Sequence, residues 1–355
     1  MSVETRQSPE KNEYLLGYAS TQQQRDQRES MLPVDPSRST QPYAIVLLDA
    51  SADASSSMQA SPRLRLLPLA VRWPGRTMLE KGSSSRLRRL SRERLRGAVI
   101  AAPAVDSLAY RLYPPLAINA DWLIHLGTRR EFVDTAPPLQ QMLAQHADEI
   151  RDMRRQRGLD DELHLQLVDS GTLLAGTALH ARMLLRMLEA GIAPAEAARR
   201  AQALRETTRL WLVPQHPGDT LEALQRLQQP TLAPWEQACS GPLGQLWRRS
   251  PVLEADASGV YCEHRLKNWR AAVGQAFGRA AELLRAQSGP GAWLQISLDG
   301  GLREMQAWPE FEALRELAVA TRTSLHLTHM SPAGRIWASA GSLSMALYQP
   351  PGASG

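Results

Sequence analysis

Cysteine is nearly absent from this chain: 355 residues carry two, Cys239 and Cys262. They form no CxxC and have no metal-ligand spacing, which argues against a disulfide scaffold or a zinc module and leaves two ordinary reduced thiols. Aromatic residues are 5% of the chain, with three Phe against nine Trp, so the core must come mostly from Leu, Ala, Val and Ile. No apolar run approaches the ~18 residues that cross a bilayer. The polar start of the chain lacks the apolar segment of a secretory signal. The expected compartment is cytoplasmic. There is no GxGxxG, no phosphate-binding P-loop and no GxSxG nucleophile elbow, so the commonest nucleotide and acyl-transfer signatures are missing.

Charge is present but modest: 41 Lys and Arg against 36 Asp and Glu give a formal net charge of +5. Much of the excess falls in the arginine-rich residues 85–98. Such a run suits a solvated helix face better than a nucleic-acid grip, so no nucleic-acid partner is expected. Eight histidines are scattered along the chain. His326 and His329 stand three apart without a nearby carboxylate, and a metal site needs three or four converging ligands. No metal and no cofactor are expected.

Hydrophobic residues make up 43% of the chain, enough for a sizeable core, and the length allows two domains. Residues 1–41 are rich in Gln, Ser, Arg and Glu and read as a disordered tail. Residues 42–205 alternate strands with helices, the pattern of a parallel α/β sheet. The strands are expected at residues 43–48, 64–73, 120–127 and 162–170. Helices are expected at 85–97 and 138–158, then in two segments after residue 175, with a turn-rich stretch at 74–85. Residues 206–350 contain six short strands and three helices, at 220–227, 265–287 and 309–320. Some of those strands are hairpin-linked, so the second sheet should be mixed.

Two of the first strands end at an aspartate, in "IVLLDASAD" (Asp49) and "VDSGTLLAGT" (Asp169). Ligands of open α/β sheets sit outside the carboxyl ends of the strands, which makes these the best candidates by position. The alternative role for each Asp is to cap the turn or helix that follows. The small-residue turns "AGTA" and "SAGSL" let backbone approach a ligand closely.

Taken in order, "IVLLDASAD", "LLPLAVRWPGRT", "VDSGTLLAGTALHARM" with its following helices and strand, and "GSLSMALY" resemble the DegV family. These are bacterial two-domain proteins of the EDD fold that bind one fatty acid, and some present it to a fatty acid kinase. The resemblance spans about residues 43–348. It implies a non-catalytic protein with an acyl chain in an apolar tunnel between the domains, a fatty acid or other acyl lipid as ligand, and a kinase-type protein as a further partner.

Mapped through this resemblance, the ligand-binding positions are Asp49, Ser51, Ile100, Ala101, Asp169, Ser170, Gly176, Thr177, Arg265, Trp337, Ser339, Gly341 and Ser342. Several depart from the family. Its Thr-Ser-Gln-Pro segment falls on residues 100–103, so Ile100 and Ala101 replace two hydroxyl donors. Its turn histidine falls on Trp337. Its Ser-Gly-Thr turn, within residues 127–136, is unrecognisable, and its Gly-Gly-Arg-Ile segment falls on residues 228–232. The scaffold is kept and the head-group site is rewritten. An acyl head group would then reach solvent, Arg265, or Arg129 and Arg130; the other outcome is that Trp337 plugs the tunnel. A member that had lost its ligand would instead act as a regulatory or structural partner.

Overall fold

The computed structural model describes residues 42–81, 89–109, 120–240, 249–287 and 290–350. The expected tail at 1–41 and the first four residues of the arginine-rich run, 85–88, lie outside them.

The first layer is a four-stranded, fully parallel sheet in the order β2-β1-β6-β7. Strand β1 (Ala44–Asp49) is buried at all six residues, as the unbroken apolar run "AIVLL" requires of a strand covered on both faces. Helix α1 (Ser56–Gln59) leads to β2 (Leu64–Leu67). The expected long strand at 64–73 is in fact two. Pro68 separates β2 from β3 (Leu69–Trp73), and β3 belongs to a different, three-stranded antiparallel sheet. Its neighbour β4 (Arg76–Glu80) falls in the stretch read as turn-rich. Pro74 and Gly75, the latter at φ +72°, form the hairpin turn, and glycine alone takes that angle without strain.

Helix α2 (Arg92–Leu95) is far shorter than the helix expected at 85–97: residues 89–91 and 96–97 are described and are not helical, and Ser91, in extended backbone, starts the short turn. Strand β5 (Val99–Ala101) completes the small sheet against β3. Strand β6 (Trp122–Gly127) precedes α3 (Ala136–Gln145) and α4 (Ala147–Gln156), two helices broken at His146 where the periodicity suggested one. Then come β7 (His164–Asp169), α5 (Ala175–Glu189) and α6 (Pro194–Ala203). Helices α5 and α6 cover one face of the parallel sheet through Ala181, Leu184, Leu188 and Ala197. Helix α3 covers the other through Leu139 and Met142.

The second sheet has six strands in the order β10-β9-β8-β13-β11-β12. Its elements are β8 (Thr208–Val213), α7 (Pro217–Leu227), α8 (Ala233–Ser240), β9 (Ser250–Asp256), β10 (Gly259–Leu266), α9 (Trp269–Ala286), β11 (Trp293–Leu298), α10 (Leu302–Gln306), α11 (Pro309–Ala320), β12 (Ser324–His329), α12 (Gly334–Ala338) and β13 (Leu343–Tyr348). Strands β9 and β10 form the expected hairpin. Only β11 and β12 run parallel, so the sheet is mixed. Arg265, read as the start of a helix, lies in β10, and α9 begins after Asn268, whose side chain accepts from Ala271 N.

Alternation divides the faces of this sheet. Leu294, Ile296, Leu298, Leu343, Met345 and Leu347 pack under α9 and α11. Gln295, Ser297, Ser344 and Ala346 point the other way and are also buried. Helix α5 packs against β11 and β13 on that side, so it lies between the two sheets and joins two α/β domains across a shared face.

Candidate functional site

The shared face has a front, at the carboxyl ends of β1 and β11, and a rear, at the amino ends of β8 and β11. At the front, Asp49 is fully buried. It accepts from Thr128 N at 2.7 Å and from Thr135 Oγ1 at 2.6 Å. Thr135 gives its only hydroxyl proton to Asp49, so the contact at 2.9 Å between Thr135 Oγ1 and His125 Nε2 places a proton on that nitrogen. The carboxylate thus ties the end of β1 to the loop after β6. Ser51 Oγ lies 2.9 Å from Thr128 Oγ1, and the Ser51 carbonyl accepts from Ser331 Oγ at 2.7 Å.

Asp53 was not singled out from the sequence, and it joins the domains. Its Oδ1 accepts from Ser331 N at 2.6 Å, and its Oδ2 accepts from Ser297 Oγ on β11. A buried carboxylate with both oxygens engaged by fixed donors is a structural rivet.

Asp169 takes up a turn. Its Oδ1 accepts from Gly171 N at 2.9 Å, and Arg130 Nε approaches Oδ2 at 3.6 Å. Ser170 Oγ contacts Thr177 Oγ1 at 3.2 Å, and Thr177 also donates to the Thr172 carbonyl at 3.1 Å. A Cβ on Gly176 would stand 2.0 Å from Thr172 Oγ1, so only glycine fits there. This second small-residue segment is therefore a packed joint at the start of α5.

Ile100 and Ala101 lie on β5, paired with Val71 and Ala70. Ile100 enters an apolar cluster that draws on both domains, including Leu69, Leu174, Leu212, Leu253 and Trp337. Trp337 is 2% exposed. Its ring meets Phe132 edge-on at 5.4 Å, and Phe132 meets Trp235 edge-on at 5.2 Å. Among the described residues, the indole Nε1 has no partner.

The turn after Trp337 is held from below. Ser339 Oγ accepts from His216 N at 3.2 Å and Ser342 Oγ from Gln215 N at 3.0 Å. Gly341 sits at φ +79° and donates its N–H to Asp299 Oδ2 at 2.8 Å, the oxygen that also receives Arg335 Nε. A Cβ on Gly341 would lie 1.6 Å from Gln215 Oε1.

Arg265 stands apart from these groups. Its guanidinium donates to the Ala238 and Cys239 carbonyls at 2.5 and 3.3 Å, the last turn of α8. There it neutralises the negative end of the helix. The structure therefore gathers Asp49, Ser51, Asp169, Ser170, Gly176 and Thr177 along the front rim of the parallel sheet. Ile100 and Trp337 lie in the interdomain cluster, Ser339, Gly341 and Ser342 form a braced turn, and Arg265 caps a helix.

Burial pushes the Cys239 thiol up to about 12, which makes it an inert, protonated side chain. Among the described residues, no group of His, Cys, Asp and Glu is placed to hold a metal ion. No helix among them is long and apolar enough to cross a membrane. At the rear, Met183, Met187, Leu204, Trp293, Tyr348 and Arg186 help line a cavity of about 380 Å3.

No protein-family model matches the sequence, and no curated protein matches it. Solved structures do. The chain is similar to DegV, a fatty acid binding protein from Bacillus subtilis, with 16% identity, a TM-score of 0.62, and cover of 87% of this chain and 100% of that one. It is similar to a stearic acid-binding protein from Eubacterium ventriosum, with 14% identity, a TM-score of 0.63, and cover of 86% and 98%. It is also similar to the Streptococcus pneumoniae Fatty Acid Kinase B3 protein loaded with linoleic acid, with 12% identity, a TM-score of 0.59, and cover of 86% and 99%. The chain has the two-domain α/β fold of the DegV proteins. At these identities the likeness establishes the fold.

Proposed function

We propose that this protein is a non-catalytic lipid-binding protein of the DegV kind, which holds an acyl chain between its two domains with altered head-group recognition. The observation that carries this reading is the apolar cluster of the shared face, to which both domains contribute, on a fold whose solved examples include fatty-acid-binding proteins. Each buried methylene contributes ~0.8 kcal/mol, so a sixteen-carbon chain offers ~10 kcal/mol before ordering costs. The tail alone can hold the ligand if the head group finds a donor.

The front rim residues Asp49, Ser51, Asp169, Ser170, Gly176 and Thr177 are the proposed frame of the site. Ile100, Ala101 and Trp337 are its apolar wall, and Ser339, Gly341 and Ser342 its turn. The proposed setting is cytoplasmic, within domains spanning 42–205 and 206–350, and the proposed further partner is a kinase-type protein. The test is native mass spectrometry of the protein as purified from bacteria, with organic extraction of what it carries, followed by titration of the stripped protein with fatty acids. A stoichiometric acyl species supports the reading. A chain that neither carries nor takes up any acyl compound overturns it.

A second reading, favoured by the tight edge-to-face packing of Trp337 on Phe132, is that the site is plugged and the protein serves as a regulatory or structural partner. An empty protein in the same experiment would support it.

A further inference from the structure

The rear of the shared face holds a polar group that the front does not explain. Gln295 on β11 is fully buried, and among the described residues neither its Oε1 nor its Nε2 has a hydrogen-bond partner. Its neighbour across the parallel ladder is His326 on β12, whose Nε2 is also buried and unpartnered. Helix α5 brings Arg182 and Arg186 close enough for their charges to act on His326. Arg182 donates through Nη2 to Ser55 Oγ at 3.0 Å, while its Nε is buried without a partner. The Arg186 guanidinium lies 6.0 Å from the Trp293 ring centre, and Trp293 in turn lies 5.5 Å from the His326 ring.

Among the described residues, neither arginine forms an ion pair with Asp or Glu. The nearby Arg200 is different: its Nε lies 2.6 Å from Glu196 Oε1. Burial, then the charges of Arg182 and Arg186, push His326 down to about 4, so the ring is neutral at pH 7. Buried amides and guanidinium groups are ordinarily satisfied; the half-buried Arg182 makes a positive field in a partly dry place, with the exposed Arg186 beside it at the surface. What this arrangement lacks is an oxyanion.

The adjoining walls say what the oxyanion is attached to. The cavity of about 380 Å3 beside Arg186 is lined chiefly by Met183, Met187, Leu204, Trp293 and Tyr348, and ligand pockets start at ~300 Å3. Met183, Trp293 and Tyr348 also pack against the interdomain apolar cluster. Apolar walls continuous with that cluster fit a chain, and a bare inorganic ion would leave them without a partner.

We propose that Arg182, Arg186, Gln295 and His326 form the carboxylate-binding site of the acyl ligand, so that the head group sits at the rear of the shared face, away from Trp337. This deepens the lipid-binding reading above and rests on it. Arg186 supplies charge at the mouth. Arg182 Nε and Gln295 Nε2 supply donors, and His326 donates once its ring is oriented with a proton on Nε2.

The test is isothermal titration of the stripped full chain with decanoate, with decanol and with inorganic phosphate, repeated on Arg186→Gln and Gln295→Met. Decanoate should bind about tenfold tighter than decanol, and each substitution should weaken decanoate about tenfold while leaving decanol unchanged. Thermal melting of both variants confirms that they fold. As a measurement free of variants, the His326 ring resonances in 15N-histidine NMR should move with decanoate and stay with decanol.

If decanoate and decanol bind equally, or if decanoate is indifferent to both substitutions, the rear assignment falls and the lipid-binding reading stands. If phosphate binds as tightly as decanoate, the site takes a bare anion and the acyl assignment falls. If the parent protein binds neither decanoate nor decanol nor palmitate, both readings fall together.

Discussion

The two ends of the interdomain face are built from similar parts and finished differently. At the front, every carboxylate oxygen of Asp49 and Asp53 accepts a hydrogen bond, from Thr128, Thr135, Ser331 or Ser297. At the rear, Gln295, His326 and Arg182 carry four buried polar atoms with no partner among the described residues. Burial of polar groups is common to both, so burial alone does not mark a binding site. The closed carboxylate network of the front holds elements together, whereas the clustered open atoms of the rear leave room for a ligand.

Substitutions of the same kind should therefore act with opposite sign at the two ends. The largest effect is expected at Asp53. Asp53→Ala strands Ser331 N between the domains, leaves Ser297 Oγ only the Ser344 carbonyl at 3.4 Å, and should lower stability by about 3 kcal/mol in urea unfolding. A loss below ~0.5 kcal/mol would show that the front is not the rivet described here.

Acid provides the next test. His180, buried in α5, contacts Thr208 Oγ1 at 2.9 Å, and that hydroxyl gives its proton to the Leu204 carbonyl. His180 Nε2 is therefore the protonated nitrogen, and burial pushes the ring down to about 3. The folded ring stays neutral where the unfolded one charges. The unfolded state thus binds more protons below the ordinary histidine value of 6.5, and stability is lost as pH falls from 6.5 toward 3. The slope from this residue approaches ~1.4 kcal/mol per pH unit. His180→Asn should flatten it in a stability-against-pH series.

The rear is expected to respond the other way. Gln295→Met keeps the side-chain volume and removes two unpartnered polar atoms, so the ligand-free protein should gain about 1 kcal/mol. A loss of that size instead would mean that Gln295 is satisfied within the fold. The smallest change is expected at Trp337→Phe, where lost indole area and relief of the unpartnered N–H offset one another to within about 0.5 kcal/mol.

The strands were legible wherever apolar runs were unbroken. β1, β6, β8, β9 and β13 fall close to the places their sequences name. Pro68 was visible but its consequence was not: a residue without an N–H ended one strand, and the chain changed sheets. β4, with its exposed Arg76 and Thr77, lacks the apolar signal that identifies a strand. The ends of β1 and β7 were recognisable from their aspartates. The work Asp49 does was not, since it depends on Thr128 and Thr135, far away in the chain. His326 attracted notice only beside His329. Spaced three apart on one strand, the two point to opposite faces, and only His326 meets the interface. Gln295 gave no signal, because its burial is created by α5, more than a hundred residues earlier.

The position of β13 carries a further consequence. The last strand of the second sheet lies between β8 and β11, hydrogen-bonded to both. Until Tyr348 has been synthesised and has left the ribosome, β8 with its hairpin neighbours and β11 with β12 remain two fragments with open edges. Assembly of that half of the protein therefore waits for β13, and the waiting fragments expose unpaired strands that invite chaperones or misassociation. A stop codon a few residues upstream of Leu343 would remove the plank that joins β8 to β11.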